Sequence, residues 1–159
     1  DLMALGWIDH MPKLMGVQAA GSAALYDAWR TGADAMDMQP IDAQTIADSI
    51  SAGLPRDRIK ALAAVRETSG AYIKVTDEEI LAAIPTLAQG SGVFAEPAGA
   101  AAYAGLVKAV SEGQVDPNEQ IVVLVTGNGL KDIASARKSV GQPFVVDANL
   151  ESVKQVIGR

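Results

Sequence analysis

Residues 120–129 read QIVVLVTGNG. Ile121, Val122, Val123, Leu124 and Val125 are consecutive apolar residues, and four of the five are β-branched. A run that is apolar at every position, rather than at alternate ones, suits a strand covered on both faces of a parallel sheet. Thr126 closes the run, and Gly127-Asn128-Gly129 leaves it at once. Outward from this point the chain repeats the theme. Residues 13–19 (KLMGVQA) read as a short buried strand, and 71–75 (AYIKV) alternate in the β manner. Two shorter β runs stand at 93–95 (VFA) and 144–146 (FVV).

Amphipathic helices fill the intervals. Leu25, Ala28 and Trp29 share one face of a helix over 23–30, which Gly32 ends. Residues 33–44 hold Pro40 and three Asp without periodicity and predict a surface loop. Thr45 can cap a short helix over 45–51. Asp57 can cap a helix over 58–68, with Ile59, Leu62, Ala63 and Arg66 in phase and Gly70 as the stop. Thr76 and Glu79 have capping-box spacing at the head of the next helix. Pro85 lies inside that periodic pattern and predicts a kink or a shifted end. Glu96-Pro97 opens a helix with proline at its first position; it starts with small residues and runs to Gly113. A terminal helix is predicted over 150–157. The alternation predicts an α/β fold: a three-layer parallel sheet with helices on both faces, formed by residues 1–159 as one unit.

Composition narrows the chemistry. The 159 residues include 19 Asp and Glu against 13 Lys and Arg, for a formal net charge of -6, so a basic nucleic-acid surface is not expected. There is no Cys and one His, which excludes disulfides, thiolate zinc sites and multi-histidine metal sites. No apolar run approaches the roughly 18 residues that cross a bilayer. Residue 1 is Asp, and no basic region precedes an apolar stretch, so no signal peptide is expected. The expected location is cytoplasmic.

Open parallel sheets bind ligands beyond the carboxyl ends of their strands. Thr126-Gly127-Asn128-Gly129 is the first candidate on that ground. The Thr hydroxyl can donate or accept, and glycines admit close approach and positive φ. A tight turn alone would explain the glycines equally well. Glu96-Pro97-Ala98-Gly99-Ala100 is the second candidate, because Glu96 is the only charged residue between Glu79 and Lys108. Its small residues suit either a flat ligand or tight helix–sheet packing. His10 has no second histidine to work with and reads as a surface residue. Asp34, Asp37 and Asp42 lack calcium-loop spacing and read as solvated, and Met36 and Met38 as packing.

Six strings carry a resemblance. They are 12–19 (PKLMGVQA), 45–50 (TIADSI), 61–70 (ALAAVRETSG), 77–80 (DEEI), 96–100 (EPAGA) and 126–132 (TGNGLKD). In this order they are similar to the C-terminal part of threonine synthases, and 126–132 is the most specific of them. The resemblance implies the tryptophan-synthase-β-like fold, pyridoxal phosphate as cofactor, and a lyase of threonine biosynthesis that turns O-phosphohomoserine and water into threonine and phosphate. It implies that Thr126 faces the pyridine nitrogen, that Gly127 lines the same wall and that Glu96 lies near the ring. It also implies a homodimer.

None of Lys13, Lys60, Lys74, Lys108, Lys131, Lys138 and Lys154 stands in the family's Schiff-base motif, and no glycine-rich phosphate cradle is present. The family carries both N-terminal to the matched strings. The expectation is therefore a C-terminal portion of the large domain, with no catalytic residue of its own, whose partner is the N-terminal part of the same enzyme. Alone it should be inactive and should hold the cofactor poorly or not at all. Two other readings stay open. One is a serine or threonine dehydratase of the same fold, although those more often carry Ser-Gly-Gly-Asn where this chain has 126–129. The other is a non-catalytic interaction domain.

Overall fold

The structure is a computed structural model and describes residues 1–158. Two strands, β1 (Gly16–Ala19) and β2 (Tyr72–Val75), pair in parallel, with Gly16 opposite Tyr72 and Ala19 opposite Val75. Six α-helices accompany them: α1 (Ala24–Thr31), α2 (Arg58–Glu67), α3 (Asp77–Ser91), α4 (Pro97–Ser111), α5 (Ile133–Ser139) and α6 (Leu150–Ile157). Side chains alternate across a strand, so each face of the pair collects its own core. Tyr72 joins Leu25 and Ala28 of α1 and Leu62 and Val65 of α2. Ile73 and Val75 join Ile80 and Ile84 of α3 and the alanines of α4. The result is three layers, with helices on both faces as expected.

The local reasons are plain. Gly32 ends α1 in the left-handed region at φ 72°, where glycine carries no Cβ penalty. The capping box at α3 is complete: Glu79 N–H donates to Thr76 Oγ1 at 3.2 Å, and Thr76 N–H donates to Glu79 Oε2 at 2.7 Å. α4 comes close to β1 because Gly105 faces Val17, where any Cβ would overlap the valine methyls. The alanines that open α4 are packed as well: Ala98, Ala100 and Ala101 are buried in the core beneath β2. Tight packing, not room for a flat ligand, explains that run.

Several expectations need correcting. The segment 120–126 is not a strand; it runs without a ladder, with Val122 at 86% and Leu124 at 74% exposure. A strand is defined by hydrogen bonds to a neighbour, and among the described residues none pairs with this segment in a ladder, although Val125 packs against the core. The run at 144–146 is not a strand either, and the run at 93–95 has a neighbour but pairs with it only through an isolated antiparallel bridge, Ala95 to Asn128. The sheet therefore has two strands among the described residues.

Smaller differences follow. Residues 45–51 give only a 3-10 turn at Asp48–Ile50, because Thr45 turns its hydroxyl to Asp77 Oδ1. Asp57 precedes α2 without a side-chain capping bond. The positive φ after α2 falls on Ser69, at 56°, while Gly70 is needed because a Cβ there would strike the carbonyl of Leu14. Pro85 sits inside α3, which runs on to Ser91. Met38 packs in the core, but Met36 is exposed.

Candidate functional site

Two turns meet beside the N-terminus of α4. Glu96 N–H donates to the Gly127 carbonyl at 3.0 Å, and Gly129 N–H donates to the Phe94 carbonyl at 3.0 Å. The two bonds flank the Ala95–Asn128 bridge and clamp residues 94–96 to 127–129. Glu96 precedes Pro97, the first residue of α4, and is buried at 6% exposure. Its carboxylate occupies the space that a side chain on Gly127 would take. Lys131 reaches across and donates from Nζ to Glu96 Oε1 at 3.0 Å. Burying a carboxylate is costly unless it is paired, and Lys131 supplies the pair.

Packing and capping account for Gly127, Asn128, Gly129 and Asp132 of the string 126–132. Gly127 gives room to Glu96, and Gly129 gives room to the ring of Phe94. Gly99, in the first turn of α4, faces the Gly127 backbone, and a Cβ there would come within 3.0 Å of its carbonyl oxygen. Neither Gly127 nor Gly129 has a positive φ, so they are needed for space and not for backbone conformation. Asn128 Oδ1 accepts from Leu130 N–H at 2.9 Å and starts a 3-10 turn at Gly129–Lys131. Asp132 Oδ1 accepts from Ser135 N–H at 3.0 Å and caps α5. Hydrogen bonds from Ser135, first from its side chain and then from its backbone, hold the Asp132 carboxyl below the ordinary value.

Thr126 is the exception. It is exposed, and no hydrogen bond to its hydroxyl is formed by another described residue. Of the three expected site residues, the fold thus brings Glu96 and Gly127 into contact and leaves the Thr126 hydroxyl open beside them.

The other candidates dissolve. His10 is exposed and pairs only with Asp9. Asp34 accepts from Met36 N–H and Asp42 from the Gln44 amide, and no group of three metal-type side chains forms among the described residues. No described helix is long and apolar enough to cross a membrane. Two surface concavities lie away from Thr126: one of about 320 Å³ between α3 and α5, and one of about 250 Å³ between α3 and α4.

Comparison with known proteins now bears on this clamp. Residues 2–127 match the family model described as pyridoxal-phosphate dependent enzyme. The chain belongs to that family. It is 41% identical over 157 residues to the threonine synthase of Methanosarcina acetivorans, covering 99% of the chain and 38% of that protein. It is 39% identical over 153 residues to the threonine synthase of Methanocaldococcus jannaschii, covering 96% of the chain and 37% of that protein. The chain thus spans less than two fifths of the length of these relatives. Among solved structures, a processed threonine deaminase from Solanum lycopersicum superposes with a TM-score of 0.62 at 20% identity, over 82% of this chain and 37% of that one. Maize serine racemase gives 0.59 at 18% identity, over 92% and 39%. At such identities these two show the fold alone.

The residues present fit pyridoxal phosphate as one wall and not as a whole pocket. In favour stand a hydroxyl at Thr126 that no described residue engages and a neighbouring Gly127 that bears no side chain and is backed by Glu96. Against a whole pocket stands Lys131, the lysine of the clamp, which is committed to Glu96.

Proposed function

We propose that this chain forms part of a threonine synthase, an enzyme that converts O-phosphohomoserine and water into threonine and phosphate with pyridoxal phosphate. One observation carries the reading: identity near 40% to threonine synthases along nearly the whole chain. When bound, the cofactor supplies the electron sink for the chemistry. Thr126 offers a neutral hydroxyl to its pyridine nitrogen. A hydroxyl holds a proton there less firmly than a carboxylate and so moderates the ring. Gly127 keeps the neighbouring wall free of side chain, and Glu96 buttresses it.

The covalent step requires a lysine at the site, and none of this chain's lysines stands in the family motif. The lysine and the phosphate cradle then come from outside the 159 residues. The 159 residues alone neither turn over substrate nor hold the cofactor tightly. The complete enzyme is cytoplasmic and dimeric in this reading, and the apolar segment 121–125 is where the rest of its sheet joins.

The test is a chimaera in which these 159 residues replace the matching segment of the Methanosarcina acetivorans protein. It should bind pyridoxal phosphate, seen by absorbance, and release phosphate from O-phosphohomoserine, while the 159 residues alone do neither. Release of ammonia and a 2-oxo acid from threonine or serine would replace this reading with a dehydratase. A chimaera folded by circular dichroism that binds no cofactor would favour a non-catalytic domain.

A further inference from the structure

Lys131 is the one residue of 126–132 whose side chain crosses to the facing turn. Its ammonium lies 3.0 Å from a carboxylate that is itself almost wholly buried, with side-chain exposures of 61% for Lys131 and 8% for Glu96. That carboxylate fills the space beside the Gly127 Cα. Glu96 and Gly127 are further joined through the backbone at 3.0 Å. Thr126 is covalently next to Gly127, so whatever fixes the carboxylate fixes the peptide that carries the Thr126 hydroxyl. We infer that Lys131 is a positioning residue for the cofactor wall, acting through Glu96 and Gly127 on Thr126. The inference rests on the reading of Thr126 given above.

A second ion pair provides the control. Lys108 Nζ lies 3.1 Å from Glu79, between α4 and α3, and neither residue touches the clamp. Losing either pair removes one ionic tie between elements. Only the loss of Lys131 frees a buried carboxylate next to the wall.

Four variants decide the matter: Lys131→Met, Lys131→Arg, the double variant Glu96→Gln/Lys131→Met, and Lys108→Met. In the chimaera, Lys131→Met should weaken pyridoxal phosphate binding about tenfold, the loss of one charged hydrogen bond, and should shift the absorbance of the bound cofactor. Lys131→Arg should restore both, because it keeps the charge and a donor. The double variant should lie closer to the wild type than Lys131→Met, because no buried charge is left unpaired. Lys108→Met should leave cofactor binding and absorbance unchanged.

Amide hydrogen exchange on the 159-residue chain gives a readout that needs no cofactor. Lys131→Met should speed exchange at the Glu96 and Gly129 amides, and Lys108→Met should not. Equal effects of Lys131→Met and Lys108→Met, failure of arginine to rescue, or an unprotected clamp in the unsubstituted chain would overturn the inference. If the unsubstituted chimaera binds no cofactor, the threonine synthase reading fails, while the exchange rates still decide whether Lys131 holds the clamp.

Discussion

At Gly127 the requirement is for absence of atoms. The residue has ordinary backbone angles, yet the carboxylate of Glu96 stands where a methyl group would be. Glu96 cannot retreat easily, because it is buried, tied to Lys131 and backed by α4. Gly127→Ala should therefore cost about 1–3 kcal/mol, the range for forced overpacking. Urea unfolding measures it, and an unchanged midpoint would show that the turn can shift. The strings TGNGLKD and EPAGA singled out Thr126, Gly127 and Glu96 as candidates, but not the contact between Glu96 and Gly127. The partnership of Glu96 with Lys131 was not visible either. No periodicity links residues so far apart in the chain, and only the folded clamp brings the ammonium to the carboxylate.

Among the elements, those with local signals were legible. α1 declares its end through Gly32, α3 its start through Thr76 and Glu79, and α4 its start through Pro97. β1 was readable as a short apolar run bounded by small residues, and β2 by its alternation. The stretch 120–126 carried the strongest strand signal and yet forms none, since propensity cannot supply a neighbour. α5 went unread, although Asp132 three residues before Ser135 is a capping signal.

That cap titrates. The folded Asp132 carboxyl has a value below its ordinary 3.8. Its support for α5 is therefore complete above about pH 3.8 and fades as the pH falls through the lower, folded value. An acid titration followed by the Ser135 amide shift should show a transition below pH 3.8 in the wild type. Asp132→Asn keeps a capping oxygen without the charge and should abolish that transition. A transition that survives in the variant would assign it to another group.

As a whole molecule the chain has two cores and exposed apolar segments outside them. Val122 and Leu124 are exposed along an extended, unladdered segment, and Phe144 and Val145 are exposed at 75% and 97%. Extended apolar segments with free backbone groups tend to associate. The double variant Val122→Lys/Leu124→Lys should leave the unfolding free energy within about 0.5 kcal/mol of the wild type, as exposed sites usually do. It should also reduce concentration-dependent association in sedimentation velocity. A loss of several kcal/mol instead would mean that the segment is packed in solution.

The pairing of Gly16 with Tyr72 joins strands that α1, a long loop and α2 separate along the chain. Helices can form from near neighbours, but a parallel seam must wait for a large loop to close. That imposes an order during synthesis. Until the ribosome has released Tyr72 and the residues after it, α1 and α2 can form while Gly16–Ala19 lacks its β2 partner, and that edge stays open to chaperones.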